Sequence, residues 1–138
     1  MIKVLIIEDE TAYQKILKDA LEKENFEITL ASGCNQGIGQ VAKNRPNIIL
    51  LDIMLSGGMN GFDFLEKLKA NENTKKIPVI IITNLSSDEK VAKEIGAVYY
   101  FVKSETTIEL IIQKVNEVLN MNPNMNDAEE VNKWKILK

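Results

Sequence analysis

Ile48-Ile49-Leu50-Leu51-Asp52 is an unbroken apolar run closed by a carboxylate. A strand with one wet face alternates apolar and polar residues; this one does not. A run apolar at every position reads as a strand covered on both faces, as in a parallel sheet flanked by helices. Much the same shape recurs at residues 2–7, interrupted only by Lys3 and leading into Glu8-Asp9, at residues 77–82, which lead into Thr83, and at residues 98–102, which lead into Lys103. Residues 26–31 alternate in part and read as an edge strand. Helical patterns fill the intervals: residues 9–24, with a stripe of Ala12, Ile16, Leu17, Ala20 and Leu21; residues 34–44, weakened by Gly37 and Gly39; residues 62–71, with Phe62, Leu65 and Leu68 inward; residues 87–95, capped by Ser86 or Ser87 and stopped by Gly96; and residues 105–119, with Ile108, Ile111, Ile112, Val115, Val118 and Leu119 on one face. Strand and helix alternate five times, which predicts an α/β fold with a doubly wound five-stranded parallel sheet and five helices.

Composition narrows the chemistry. The 138 residues make one domain with little to spare, and 45% apolar with 27% charged residues is the balance of a globular, soluble chain. No apolar run approaches the length of a membrane span, and the acidic Glu8-Asp9 comes too early for a secretion signal. Together with the single cysteine, Cys34, this points to the cytoplasm. The net charge of −3 argues against a nucleic-acid-binding surface. The chain has no histidine, which removes His triads, His-ligated metals and any phosphohistidine of its own. Carboxylates, Lys, Thr, Ser and Tyr remain.

Those residue types stand at the strand ends. In an open parallel sheet, sites form beyond the carboxyl ends of the strands, where strand order reverses. In the order 2-1-3-4-5, strands one and three are neighbours, and Glu8, Asp9 and Asp52 converge. Two carboxylates about 4 Å apart repel by about 4 kcal/mol at an effective dielectric near 20. A hard divalent cation relieves that repulsion, and an oxygen donor set suits Mg²⁺. A carboxylate beside the ion can attack phosphorus, with Lys103 neutralising phosphoryl charge and Thr83 donating a hydrogen bond. A lone strand-end Asp is usually only where the chain surfaces. Five such residues together are much less easily accidental.

From Met1 to about Leu119 the chain resembles a response-regulator receiver domain of two-component signalling. The resemblance is carried by Val4-Leu5-Ile6-Ile7-Glu8-Asp9, Ile49-Leu50-Leu51-Asp52-Ile53-Met54-Leu55, Ile80-Ile81-Ile82-Thr83 and Tyr99-Tyr100-Phe101-Val102-Lys103. Each piece is weak alone, but the combination is specific. The resemblance implies a flavodoxin-like, CheY-like fold and supplies the strand order. It implies Asp52 as phosphoacceptor, Mg²⁺ on Asp9, Asp52 and the backbone carbonyl of Met54, and Glu8 acting through a metal-bound water. Lys103 and Thr83 would meet the phosphoryl group, and Tyr100 would be the switch aromatic that follows Thr83 inward. The implied partners are a sensor histidine kinase or phosphotransfer protein and an output protein meeting the fourth helix, fifth strand and fifth helix. A phosphorylation-dependent homodimer is left open.

Four positions depart from the family pattern. Ser56 stands where Pro is usual, and the loop 56–61 is one residue longer than is common. Asn84 follows Thr83 in place of a small residue, and Ser104 follows Lys103 in place of Pro. Asn84 and Ser104 are therefore expected to modulate the site, and the Lys103–Ser104 bond to be either a strained cis bond or part of an altered loop. Residues 1–120 read as the receiver; residues 121–138 read as a polar linker and a short amphipathic helix carrying Val131, Trp134 and Leu137. Two competing readings are a receiver-fold scaffold that is never phosphorylated and the front part of a longer regulator. A phosphatase working through an aspartyl intermediate ranks low, because Met54 stands where a second acid is usual.

Overall fold

The computed structural model describes residues 1–55 and 58–121. Ser56, with its loop partner Gly57, and the tail helix expected around Trp134 lie outside the described residues. Five strands form one sheet: β1 (Lys3–Ile7), β2 (Glu27–Ala31), β3 (Ile48–Leu51), β4 (Val79–Thr83) and β5 (Tyr99–Val102). All pairings are parallel, in the order β2-β1-β3-β4-β5. The helices are α1 (Thr11–Glu22), α2 (Cys34–Lys43), α3 (Gly61–Ala70), α4 (Glu89–Ile95) and α5 (Ile108–Met121). Among the described residues no helix is long and apolar enough to cross a membrane.

The three inner strands are buried along their length, apart from Lys3 at the start of β1, as their apolar runs require. Side chains alternate between two cores. Leu5, Ile7, Ile49, Leu51, Val79 and Ile81 face the layer of α2, α3 and α4; Val4, Ile6, Ile48, Leu50, Ile80 and Ile82 face α1 and α5. The edge expected at β2 is found, with only Ala31 fully buried there. β5 closes the other edge. Its Tyr99 and Phe101 stack at 5.8 Å on the α1/α5 side, while Tyr100 enters the opposite core.

Several helix expectations are corrected. In α1, Ile16 is 50% exposed and Ala12 is exposed as well; the inward row is Tyr13, Leu17 and Leu21, an equally regular i, i+4, i+8 set. In α3, Phe62 packs against the core as expected but is only partly buried, and Phe64, not anticipated, is fully buried beside Leu65 and Leu68. Asp88, not Ser86 or Ser87, occupies the cap position of α4. α5 starts later than expected, because Lys103–Glu105 form a 3-10 turn and the Thr107 hydroxyl accepts from the Leu110 N–H at 3.1 Å. Gly96 ends α4 at φ +136°, a backbone angle that glycine adopts freely.

Candidate functional site

The sheet ladder continues one residue past two strands. Asp52 N–H donates to the Ile7 carbonyl at 3.0 Å, and Glu8 N–H donates to the Ala31 carbonyl at 3.0 Å. Asp52 is thereby fixed beside the end of β1, and Glu8 beside the end of β2. Both are buried, at 4% and 2% exposure. Carboxylate oxygens of Glu8, Asp9 and Asp52 all lie within 4.8 Å of one another.

Lys103 follows β5, two strands from Asp52, and its long stem crosses the sheet end over β4. Its Nζ lies 2.6 Å from Glu8 Oε1 and 2.9 Å from Asp52 Oδ2. Asp52 Oδ1 accepts the Met54 N–H at 2.9 Å, so each oxygen of this carboxylate is held. Glu8 Oε2 accepts the Glu10 N–H at 2.9 Å. Thr83, at the end of β4, is fully buried, and its Oγ1 accepts the Leu85 N–H at 3.4 Å. The five residues expected at the strand ends are thus brought to one edge of the sheet, and three of them are in direct contact.

Burial pushes the Glu8 carboxyl above its ordinary value; the hydrogen bonds from Lys103 and the Glu10 N–H oppose this, and the charge of Asp52 adds to it. Burial would lower the Lys103 ammonium, but its bonds to Glu8 and Asp52 outweigh that and raise it. Three carboxylates against one ammonium leave two negative charges, the charge of one divalent cation. All three offer hard oxygen donors, so the cluster fits Mg²⁺ or a similar ion.

The other expected residues are placed as follows. Tyr100 is 8% exposed and already lies in the core, its hydroxyl donating to the Leu85 carbonyl. Its ring needs no later step to come inside in this state. Asn84 is exposed, and so is Ser104. The Lys103–Ser104 bond is trans; of the two expectations, the altered loop is found, with the Thr106 hydroxyl donating to the Val102 carbonyl at 2.8 Å. The Met54 side chain is 54% exposed beside the site.

Tyr13 and Gln14 escaped the sequence reading. Gln14 Nε2 donates to the Glu8 carbonyl at 3.0 Å and clamps the acidic segment to α1. The Tyr13 ring faces Lys103 Nζ at 4.8 Å. The choice of Ile16 for the inward stripe hid Tyr13, whose own i, i+4, i+8 row was the available signal.

Comparison with known proteins agrees with this geometry. Residues 4–116 match the family described as response regulator receiver domain. The chain is 35% identical over 130 residues to the sensory transduction protein RegX3 of Mycolicibacterium smegmatis, covering 93% of this chain and 55% of that one. It is 32% identical over 111 residues to the phosphate regulon transcriptional regulatory protein PhoB of Escherichia coli, covering 79% of this chain and 48% of that one. The chain thus spans about half the length of these two curated relatives. Among solved structures, a two-component response regulator from Clostridium difficile superposes with a TM-score of 0.78 at 29% identity, over 87% of this chain and 97% of that one.

Proposed function

Because the chain belongs to the response-regulator receiver family, we propose that it is a phosphoacceptor switch that takes a phosphoryl group on Asp52 from the phosphohistidine of a sensor kinase or phosphotransfer protein. One observation carries this reading: the Lys103 ammonium bridges Glu8 and Asp52 at the sheet end, with Asp9 completing an acidic cluster. An Asp52 oxygen attacks phosphorus in line as the P–N bond breaks. The departing imidazole nitrogen keeps the electron pair and takes up a proton. Asp9, Asp52 and the Met54 carbonyl would hold Mg²⁺, with Glu8 acting through water; bound there, the ion offsets charge on the transferring group. Lys103 exchanges its Asp52 contact for a phosphoryl oxygen. Thr83 releases the Leu85 N–H and donates its hydroxyl to another.

The product adds roughly −1.5 to −2 charges beside β4. Pulling Thr83 away from the Leu85 N–H disturbs the loop whose Leu85 carbonyl receives Tyr100, so the signal passes to the surface of α4, β5 and α5. That surface is the proposed meeting place for an output protein or a second copy of the chain. Receiver 1–120, tail 121–138 and a cytoplasmic location complete the proposal. Beyond gaining and losing its own phosphoryl group the domain performs no catalysis.

Phosphoryl uptake from acetyl phosphate, followed by intact mass with and without Mg²⁺, tests the reading. Wild type is expected to gain one phosphoryl group only with Mg²⁺, and Asp52→Ala none. A folded wild-type protein that gains nothing would instead favour a scaffold.

A further inference from the structure

A lysine ammonium has three N–H donors. In Lys103 the carboxylates of Glu8 and Asp52 take two, at 2.6 and 2.9 Å. Glu10 Oε1, at 3.9 Å, is beyond hydrogen-bond reach. The Tyr13 ring also faces the ammonium, its centroid 4.8 Å from Nζ. A cation within about 6 Å of a ring centroid is drawn to its negative face, more strongly where water is excluded. Water is largely excluded here, since the Lys103 side chain is 9% exposed. The Tyr13 hydroxyl is buried and has no hydrogen-bond partner. Burial is the main cause that raises it, to about 12, so it stays neutral. What this side chain gives the site is its ring face.

We infer that Tyr13 is a positioning residue of the phosphoryl site, its ring holding the Lys103 ammonium where it meets a phosphoryl oxygen. The inference rests on the phosphoacceptor reading of Asp52. Lysine carries its charge on a flexible four-carbon stem, so something must fix it. The Asp52 contact cannot do so throughout, because it is given up when the phosphoryl group arrives, and the remaining Glu8 contact alone leaves the ammonium free to swing about one point. The ring contact is compatible with both states. A reacting group held in place before the step lowers the barrier by sparing that ordering later.

Two measurements on the full chain test this. The first is the rate of uptake from acetyl phosphate with Mg²⁺. Tyr13→Leu is expected to be about tenfold slower than wild type, while Tyr13→Phe, which keeps the ring, stays within about threefold. In a Lys103→Met background, adding Tyr13→Leu should slow uptake by less than about twofold, whereas a merely structural role would slow both backgrounds alike. The second is labelling of Lys103 by a water-soluble acid anhydride, read by peptide mass, which needs no phosphoryl transfer. Tyr13→Leu should speed it several-fold and Tyr13→Phe leave it near wild type. Wild-type rates in Tyr13→Leu, equal losses in the Phe and Leu variants, or unchanged labelling overturn the inference. If wild type takes up no phosphoryl group while labelling still separates Leu from Phe, the ring's hold on Lys103 stands and its role in phosphoryl transfer falls with the phosphoacceptor reading.

Discussion

The Lys103 ammonium and the Glu8 carboxyl both hold a proton more firmly than they would in water, the first through its bonds to two carboxylates and the second chiefly through burial. Their effects on stability differ by pH window. Glu8, raised when folded, leaves the native state holding a proton that the unfolded chain has released. Its contribution therefore falls as pH rises from its ordinary value through its folded one. Lys103 contributes fully below the ordinary lysine range and loses that contribution only in alkali. Removing the ammonium strands two buried carboxylates, so Lys103→Met should cost about 3 kcal/mol near neutrality. The loss should shrink in mild acid, as Glu8, raised by burial, takes up a proton. Urea unfolding at the two pH values reads this, and an equal loss at both would show that the ammonium does not neutralise the cluster. Cys34 is a second residue with a clear expectation. Burial foremost, then the charges of Asp63 and Asp52, pushes its thiol up to about 11, and it is 2% exposed. A disulfide reagent at neutral pH should leave it unmodified in the native protein and label it at once in denaturant; rapid labelling without denaturant would contradict the packing.

Between Asp52 and α3 the chain is held by a close approach that only glycine permits. A Cβ on Gly61 would stand 2.4 Å from the Ile53 Cα, a backbone atom that cannot swing aside. Gly61→Ala should therefore cost about 1–3 kcal/mol and lower phosphoryl uptake, because Ile53 directly follows Asp52. Thermal melts and the uptake assay check the two effects; a fully active, unweakened variant would mean the loop yields freely. The same contact bears on the first turn of α3, where Phe64 was not legible as a core residue. With Gly61 pressed against Ile53, Phe64 enters the core fully and Phe62 packs against it in part. Strand interiors were legible because apolar runs need no knowledge of neighbours. Strand starts were less so: Pro78 precedes β4, yet its carbonyl still accepts the Ile49 N–H at 3.0 Å. Asp52, Glu8, Asp9, Thr83 and Lys103 were legible because strand ends are fixed in sequence. Tyr13 was not, because its nearness to Lys103 exists only through space.

Across the whole molecule, the sheet converts distant sequence positions into one charged edge that does not balance itself. Residues 8, 9, 52 and 103 meet there with an excess of two negative charges, on top of two apolar layers that give no screening. Burial of the core must therefore outweigh an electrostatic cost at the carboxyl ends of the strands, a cost that a divalent cation removes. Asp9 is the more accessible member, so its share of the repulsion is softened by water to about 1 kcal/mol. Without metal, Asp9→Asn should thus melt about 3–5 °C above wild type. With Mg²⁺ at about a hundred times its dissociation constant, wild type should gain about 2.7 kcal/mol and overtake the variant, which should gain little. Paired calorimetric scans with and without Mg²⁺ make the comparison. If Asp9→Asn melts below wild type in the absence of metal, then the acidic edge is held together by hydrogen bonds stronger than its repulsion, and the molecule does not depend on a cation to balance its charge.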